Sequence, residues 1–129
     1  MPVYYAVKEY GGKSNLEIYQ KHYIFWQAWH GELIDRWGKS TKRMVSSADG
    51  AFRSLKRMQT LLSREKAEAL NEYIDRLESV ESLLGGPYME GAQSIKLKRD
   101  LERDLRAIKR QFYYKHVFDD ILKTGEKAA

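Results

Sequence analysis

The stretch TKRMVSSADGAFRSLKRMQTLLSR, residues 41–64, decides how this chain folds. Met44, Ala48, Ala51, Leu55, Met58 and Leu62 recur at steps of three and four, the period of one face of an α-helix. That seam has to be buried, and the small residues in its first half let another helix come close. One residue earlier, Arg43, Ser46, Gly50, Arg53, Arg57, Thr60 and Arg64 keep the same spacing on a second face that carries no apolar residue. A helix over residues 41–62 therefore has one side to pack and one side of arginines separated by small residues. Small residues let a phosphate approach the backbone, while guanidinium groups offer it paired, charge-assisted hydrogen bonds.

Helical seams continue on both sides of this stretch. Ser14 and Glu17 have the spacing of a capping box and open a first helix. Leu16, Tyr19, Tyr23, Trp26, His30, Leu33 and Trp37 then alternate by threes and fours up to Gly38, a helix stop, with Ser40 or Thr41 as the next cap. Ile18, Phe25 and Trp29 make this helix apolar almost all round, the mark of a helix central to a core or covered by a partner. Ala67, Leu70, Ile74, Leu77, Val80 and Leu84 break register with the Met44–Leu62 seam. They predict either a third helix capped by Ser63 or one long bent helix over residues 41–84, ended by Gly85-Gly86-Pro87.

Ser94 is the expected cap of a last helix along Leu97, Leu101, Leu105, Ile108, Phe112 and Val117 or Phe118, reaching Leu122. The fold these patterns predict is all-α: an antiparallel four-helix bundle over residues 14–123. An extended arm at 1–13 and a polar tail at 124–129 flank it. The arm holds strand formers (Val3, Tyr4, Tyr5 and Val7), and a lone strand needs something to pack on, such as another subunit.

A chain of 129 residues suits one domain with a modest core. Its net charge of +5 hides a segregation. Residues 39–64 carry seven basic and one acidic residue, residues 65–90 two basic and seven acidic, and residues 91–115 eight basic and three acidic. Such blocks find opposite charge, on a polyanion or on a neighbouring copy. With no cysteine there are no disulfides, thiolate metal sites or cysteine nucleophile. Few Asn and Gln beside 32% charged residues is the direction seen in hyperthermophile proteins. No signal peptide is visible and no apolar run is long enough to span a membrane, so a cytoplasmic protein is expected.

The candidate nucleic-acid contacts are Lys39, Lys42, Arg43, Arg53, Lys56, Arg57 and Arg64 of the second helix. A second row on the last helix consists of Lys96, Arg99, Arg103, Arg106 and Arg110. Either row also reads as a solvated face, and Asp100, Glu102 and Asp104 temper the second, with Glu102 and Arg106 at favourable spacing. The carboxylates Glu65, Glu68, Glu72, Asp75, Glu78 and Glu81 share one helix. No Glu-x-x-His pair accompanies them, so they read as a surface that meets a basic helix rather than a metal site. His116, Asp119 and Asp120 fall about one helical face, where a surface histidine–carboxylate pair is the simpler reading.

His22 and His30 sit among aromatics and read as packed side chains. Neither a phosphate-binding glycine loop nor a serine elbow is present. The chain thus reads as a non-enzyme without cofactor, metal or small-molecule substrate. Tyr4, Tyr5, Tyr10, Tyr113 and Tyr114 have the chemistry to stack on unpaired bases, though tyrosines so placed also pack between helices or subunits. The residues expected at a contact between copies are Tyr4, Tyr5, Tyr19, Tyr23, Phe25, Trp26, Trp29 and Trp37.

This organisation of arm, aromatic helix ending Asp35-Arg36-Trp37-Gly38, basic helix and bundle resembles the coat proteins of archaeal filamentous viruses, of the lipothrixvirus and rudivirus type. The resemblance is architectural and spans the whole chain. It implies a virion subunit that self-associates, or pairs with a paralogous subunit, and wraps double-stranded DNA. Lys42, Arg43, Arg53, Arg57 and Arg64 are the residues it would place on phosphates. The acidic third helix departs from a uniformly DNA-facing surface. Two further readings fit the residues: a discrete helical module such as a CRISPR effector small subunit, and a protein-interaction bundle with no nucleic acid.

Overall fold

A computed structural model describes residues 14–84 and 91–122 of the chain. The arm at 1–13, residues 85–90 with Gly85-Gly86-Pro87, and the tail from residue 123 lie outside the described residues. The fold is all-α: α1 (Asn15–Asp35), α2 (Thr41–Gln59), α3 (Arg64–Ala69), α4 (Asn71–Leu84) and α5 (Ala92–Phe112), followed by a 3₁₀ turn at Phe118–Asp120. The four long helices form the bundle, and α3 is a short link.

Local chemistry accounts for the starts of α1 and α2. Ser14 accepts a hydrogen bond from the Glu17 backbone at 3.1 Å while the Glu17 carboxylate accepts from the Ser14 N–H at 3.0 Å, closing the capping box. Ser40, rather than Thr41, caps α2 by accepting from the Arg43 N–H. Gly38 sits between them at φ +81°, a left-handed turn that a Cβ would strain.

Pairings between helices give their order. Trp29 packs on Gly50 and Glu32 meets Ser47, so α1 and α2 run antiparallel. Gln59 bonds to Asn71 near one end of the α2–α4 pair. Tyr19 donates to the Phe112 carbonyl and His30 bonds to the Leu101 carbonyl, so α1 and α5 are antiparallel as well. Arg76 pairs with Asp104 and Gln111 with Tyr73, which completes the ring α1–α2–α4–α5. In this ring α2 and α5 are diagonal.

The core lies where the predicted seams converge. Tyr19, Trp26, Leu33, Leu55, Met58, Leu70, Leu77, Leu101, Ile108 and Phe112 are all buried. A fully buried side chain of this size contributes about 1.5–3 kcal/mol relative to an exposed one.

Several sequence expectations are corrected. The second and third helices are neither one bent rod nor joined directly. Thr60 Oγ1 turns back to the Arg57 carbonyl at 2.7 Å, and Leu61–Ser63 leave the helix to pair with residues near the chain's end. Leu62 and Ile121 form an antiparallel bridge, Ser63 N–H donates to the Asp120 carbonyl at 2.6 Å, and Leu122 N–H to the Leu61 carbonyl at 2.9 Å. Ser63 does occupy the cap position of α3, but its hydroxyl makes no capping bond and instead bonds to Asp120 at 3.2 Å.

The expected third helix divides at Leu70, whose buried side chain sits at the join between α3 and α4. Ser94 does not cap α5 either. Its hydroxyl accepts the Trp37 indole N–H at 3.0 Å, and Gly91 occupies the cap position. Finally, α5 stops at Phe112 instead of reaching Leu122, because Tyr19 takes up the Phe112 carbonyl at 2.6 Å and the chain turns.

Candidate nucleic-acid interface

The second-helix row keeps its position along α2, but its surroundings differ from those the sequence implies. Lys39, Lys42, Arg43, Arg53, Lys56, Arg57 and Arg64 are all exposed. Arg64 lies beyond the break, on α3, where it meets Glu68 at 3.5 Å. The continuous stripe therefore ends at Thr60. Arg53 pairs with Asp49 one turn earlier at 2.8 Å, with both side chains open to solvent. Exposed pairs at this spacing contribute a few tenths of a kcal/mol and exchange readily for other anions. No carboxylate of the described residues lies within ion-pair distance of Lys39, Lys42, Arg43 or Lys56.

The α5 row is more heavily compensated. Lys96 reaches Asp100 at 3.0 Å, and Arg103 lies 3.3 Å from Asp100 and 3.9 Å from Asp104. Neutralisation runs through Asp100 and Asp104, not through the expected Glu102–Arg106 pair. Burial pushes the Asp104 carboxyl up, against the pull of the Arg76 guanidinium. Lys96, Arg99, Arg103, Arg106 and Arg110 are exposed, but on the helix diagonal to α2. The two rows thus do not combine into one surface. Glu65, Glu68, Glu72, Asp75 and Glu78 face solvent on α3 and α4, between the two basic helices.

The aromatic residues divide. Tyr19, Tyr23 and Trp26, expected between copies, are buried in this chain's own core, where Trp26 is fully covered. The helix is apolar almost all round because α2 and α5 cover two of its sides. Trp37 is half-buried against Ser94. Of the described residues expected between copies, Phe25 and Trp29 alone keep substantial exposure, 45% and 38%. Tyr4 and Tyr5 lie outside the described residues. Tyr113 and Tyr114 are half-buried, and Tyr113 stacks edge-on against Tyr23 and close to Tyr114. They do not form an open stacking platform.

Phe25 and Trp29 face the basic row. With His22 they form one wall of a cleft of about 400 Å³ whose other wall is Ser46, Asp49, Gly50, Arg53, Ser54 and Arg57 of α2. Sequence reasoning gave that face of α2 no apolar contact. The signal available was Gly50, a helix-interior glycine. A Cβ there would meet the Trp29 indole at 2.5–2.7 Å, so the ring can lie on α2 only because position 50 lacks a side chain.

A Gly→Ala change in an open helix stabilises by up to about 1 kcal/mol. Here Gly50→Ala should instead destabilise by about 1–2 kcal/mol, since it displaces Trp29. In a Trp29→Ala background the same change should stabilise by about 1 kcal/mol. Denaturant unfolding of the four proteins checks this, and an equal effect in both backgrounds would refute the contact.

The residues weighed for other chemistry do not converge. His116 Nδ1 bonds to the Arg110 carbonyl at 2.7 Å and Asp120 serves Ser63, on irregular chain rather than one helical face. Among the described residues no three His, Asp or Glu side chains gather as metal ligands. His30 is buried, as expected for a packed residue, while His22 lines the cleft. No helix among the described residues is long and apolar enough to cross a membrane. No protein-family model, curated protein or solved structure matches the chain.

Proposed function

We propose that this chain is a structural protein that assembles in many copies along nucleic acid, with the solvent face of α2 on the phosphates. The observation that carries this reading is a set of exposed cations spread along α2 and just before it: Lys39, Lys42, Arg43 and Lys56, without carboxylate partners among the described residues. Between them Arg53 pairs with Asp49, with the Glu81 carboxylate nearby. An exposed row of this kind presents a positive surface that attracts a polyanion. The interaction is electrostatic and indifferent to sequence, because phosphates supply affinity without base identity.

Assembly in many copies draws on the charge pattern. The α5 row lies on the helix diagonal to α2, and Glu65, Glu68, Glu72, Asp75 and Glu78 face solvent, so each can meet its opposite on a neighbouring subunit, while Glu81 stays beside Asp49 and Arg53 of α2. Such pairing between copies is compatible with a virion coat subunit, the role implied by the resemblance to filamentous-virus coats. The expectation of double-stranded DNA rests on that resemblance; the α2 face itself is suited to the backbone of any strand.

Replacing both Arg53 and Arg57 by Ala should lower the slope of log affinity against log salt by nearly 2, about 0.9 for each duplex phosphate that an arginine no longer neutralises. Titration of a fixed-length duplex at several salt concentrations measures it. An unchanged slope, with assembly intact, would favour a bundle whose charge blocks meet only each other.

A further inference from the structure

The cleft between α1 and α2 has a composition that phosphate binding does not require. Two large aromatic rings, Phe25 and Trp29, stand exposed on its α1 wall. Trp29 lies with its indole against the backbone of α2 at Gly50. Phe25 is flanked by Lys21, whose ammonium lies 5.9 Å from the ring centroid, and edge-on by His22. Arg53 and Arg57 stand on the opposite wall, with Asp49 as the lining carboxylate, already tied to Arg53.

His22 adds a polar feature. Its Nε2 is buried and has no hydrogen-bond partner among the described residues. Burial first, then the nearby Arg57 and Lys21, hold its pKa down at about 4, so the ring is neutral at pH 7. A neutral imidazole carries one donor and one acceptor, and here Nε2 is left without a partner beside the cleft.

Flat apolar rings, paired cations and an unmet polar nitrogen in one cleft match one ligand chemistry: a planar heteroaromatic group attached to a phosphate. The volume, about 400 Å³, is within the range of roughly 300–1,000 Å³ typical of small-molecule sites. We propose that the α1–α2 cleft is a stacking site for an unpaired nucleobase, against Phe25 and Trp29, with the adjoining phosphate on Arg53 and Arg57. This rests on the nucleic-acid reading above and sharpens it, since a base within a duplex has no free face to offer. The site thus shifts preference toward single-stranded segments. Stacking of this kind is tolerant of sequence, because every base presents a π-face.

The test compares a twelve-nucleotide oligothymidine with a duplex of equal length at one salt concentration, following tryptophan fluorescence and affinity. The single strand should quench emission. Phe25→Ala and Trp29→Ala should each weaken its binding about tenfold or more, with duplex affinity kept within about twofold. Trp29→Phe should restore most of the loss. Phe25 is nearly half exposed, so its truncation reads out the site even if Trp29→Ala perturbs folding. Single-strand affinity unchanged in Phe25→Ala and in folded Trp29→Ala, with salt-dependent binding intact, would overturn the cleft and leave the phosphate reading standing. Loss of self-association with unchanged strand affinity would also overturn it, by giving the cleft to a second copy. No salt-dependent binding of either oligonucleotide would overturn both.

Discussion

His30→Ala should lower the stability of the fold by about 3 kcal/mol, in denaturant unfolding at pH 7. His30 is 1% exposed and is used at both ring nitrogens. The Trp26 indole N–H donates to Nδ1 at 3.0 Å, and Nε2 lies 2.9 Å from the Leu101 carbonyl. A carbonyl only accepts, so Nε2 carries the proton and the ring is the neutral Nε2–H tautomer. The residue thereby links α1 to α5 across the core. Alanine leaves a buried N–H, a buried carbonyl and a void behind, each of which costs on the order of 1 kcal/mol or more.

The same environment makes the fold acid-sensitive. Burial holds the His30 pKa down at about 4, with the Leu101 carbonyl pulling weakly the other way. The unfolded chain, with an ordinary pKa near 6.5, takes up the proton first. Stability is therefore complete above about pH 6.5 and falls as pH drops toward 4, by about 3 kcal/mol for His30 at the lower end. His22 acts in the same direction, with Arg57 and Lys21 adding to its burial. His30→Gln should flatten the loss between pH 6.5 and about 4. A curve as steep as that of the natural chain would mean that His30 does not carry the effect.

The second large effect belongs to Asp104. Its side chain is 4% exposed and pairs with Arg76, joining α5 to α4. Asp104→Ala should destabilise by about 2–3 kcal/mol. This is below the cost of breaking a wholly buried pair, because Arg76 is 26% exposed and can turn to water. Removing both partners, as Asp104→Leu with Arg76→Met, should restore most of the loss, since apolar side chains of similar volume need no partner. Thermal unfolding of single and double variants separates the two cases. A double variant no better than Asp104→Ala would mean that packing around position 104, not the unpaired guanidinium, sets the cost.

The acid side of this pair was visible in the sequence only as a tempering charge in a basic row. In the structure Asp104 points inward while Arg99, Arg103, Arg106 and Arg110 remain outside. Its helix position separates it from those neighbours, but the identity of its partner depended on α4 lying alongside. Tyr19, Tyr23 and Trp26 are a similar case. Their spacing marks them as buried, yet whether a partner subunit or the chain's own helices would cover them depended on how many sides of α1 the bundle encloses.

What the sequence by itself determined is local and periodic: the all-α class, the seams of the four long helices, the capping box at Ser14, a cap at Ser40 or Thr41 and the segregated charge. These follow from spacing along a single helix and from hydrogen bonds that close within a few residues. Only the tertiary structure decided the break at Leu61–Ser63, which depends on backbone pairing with residues 120–122. It also decided the tautomer of His30, the diagonal separation of the two basic rows and the cleft in which Trp29 lies over Gly50. Each of these joins residues far apart in the chain, so the period of one helix carries no record of it.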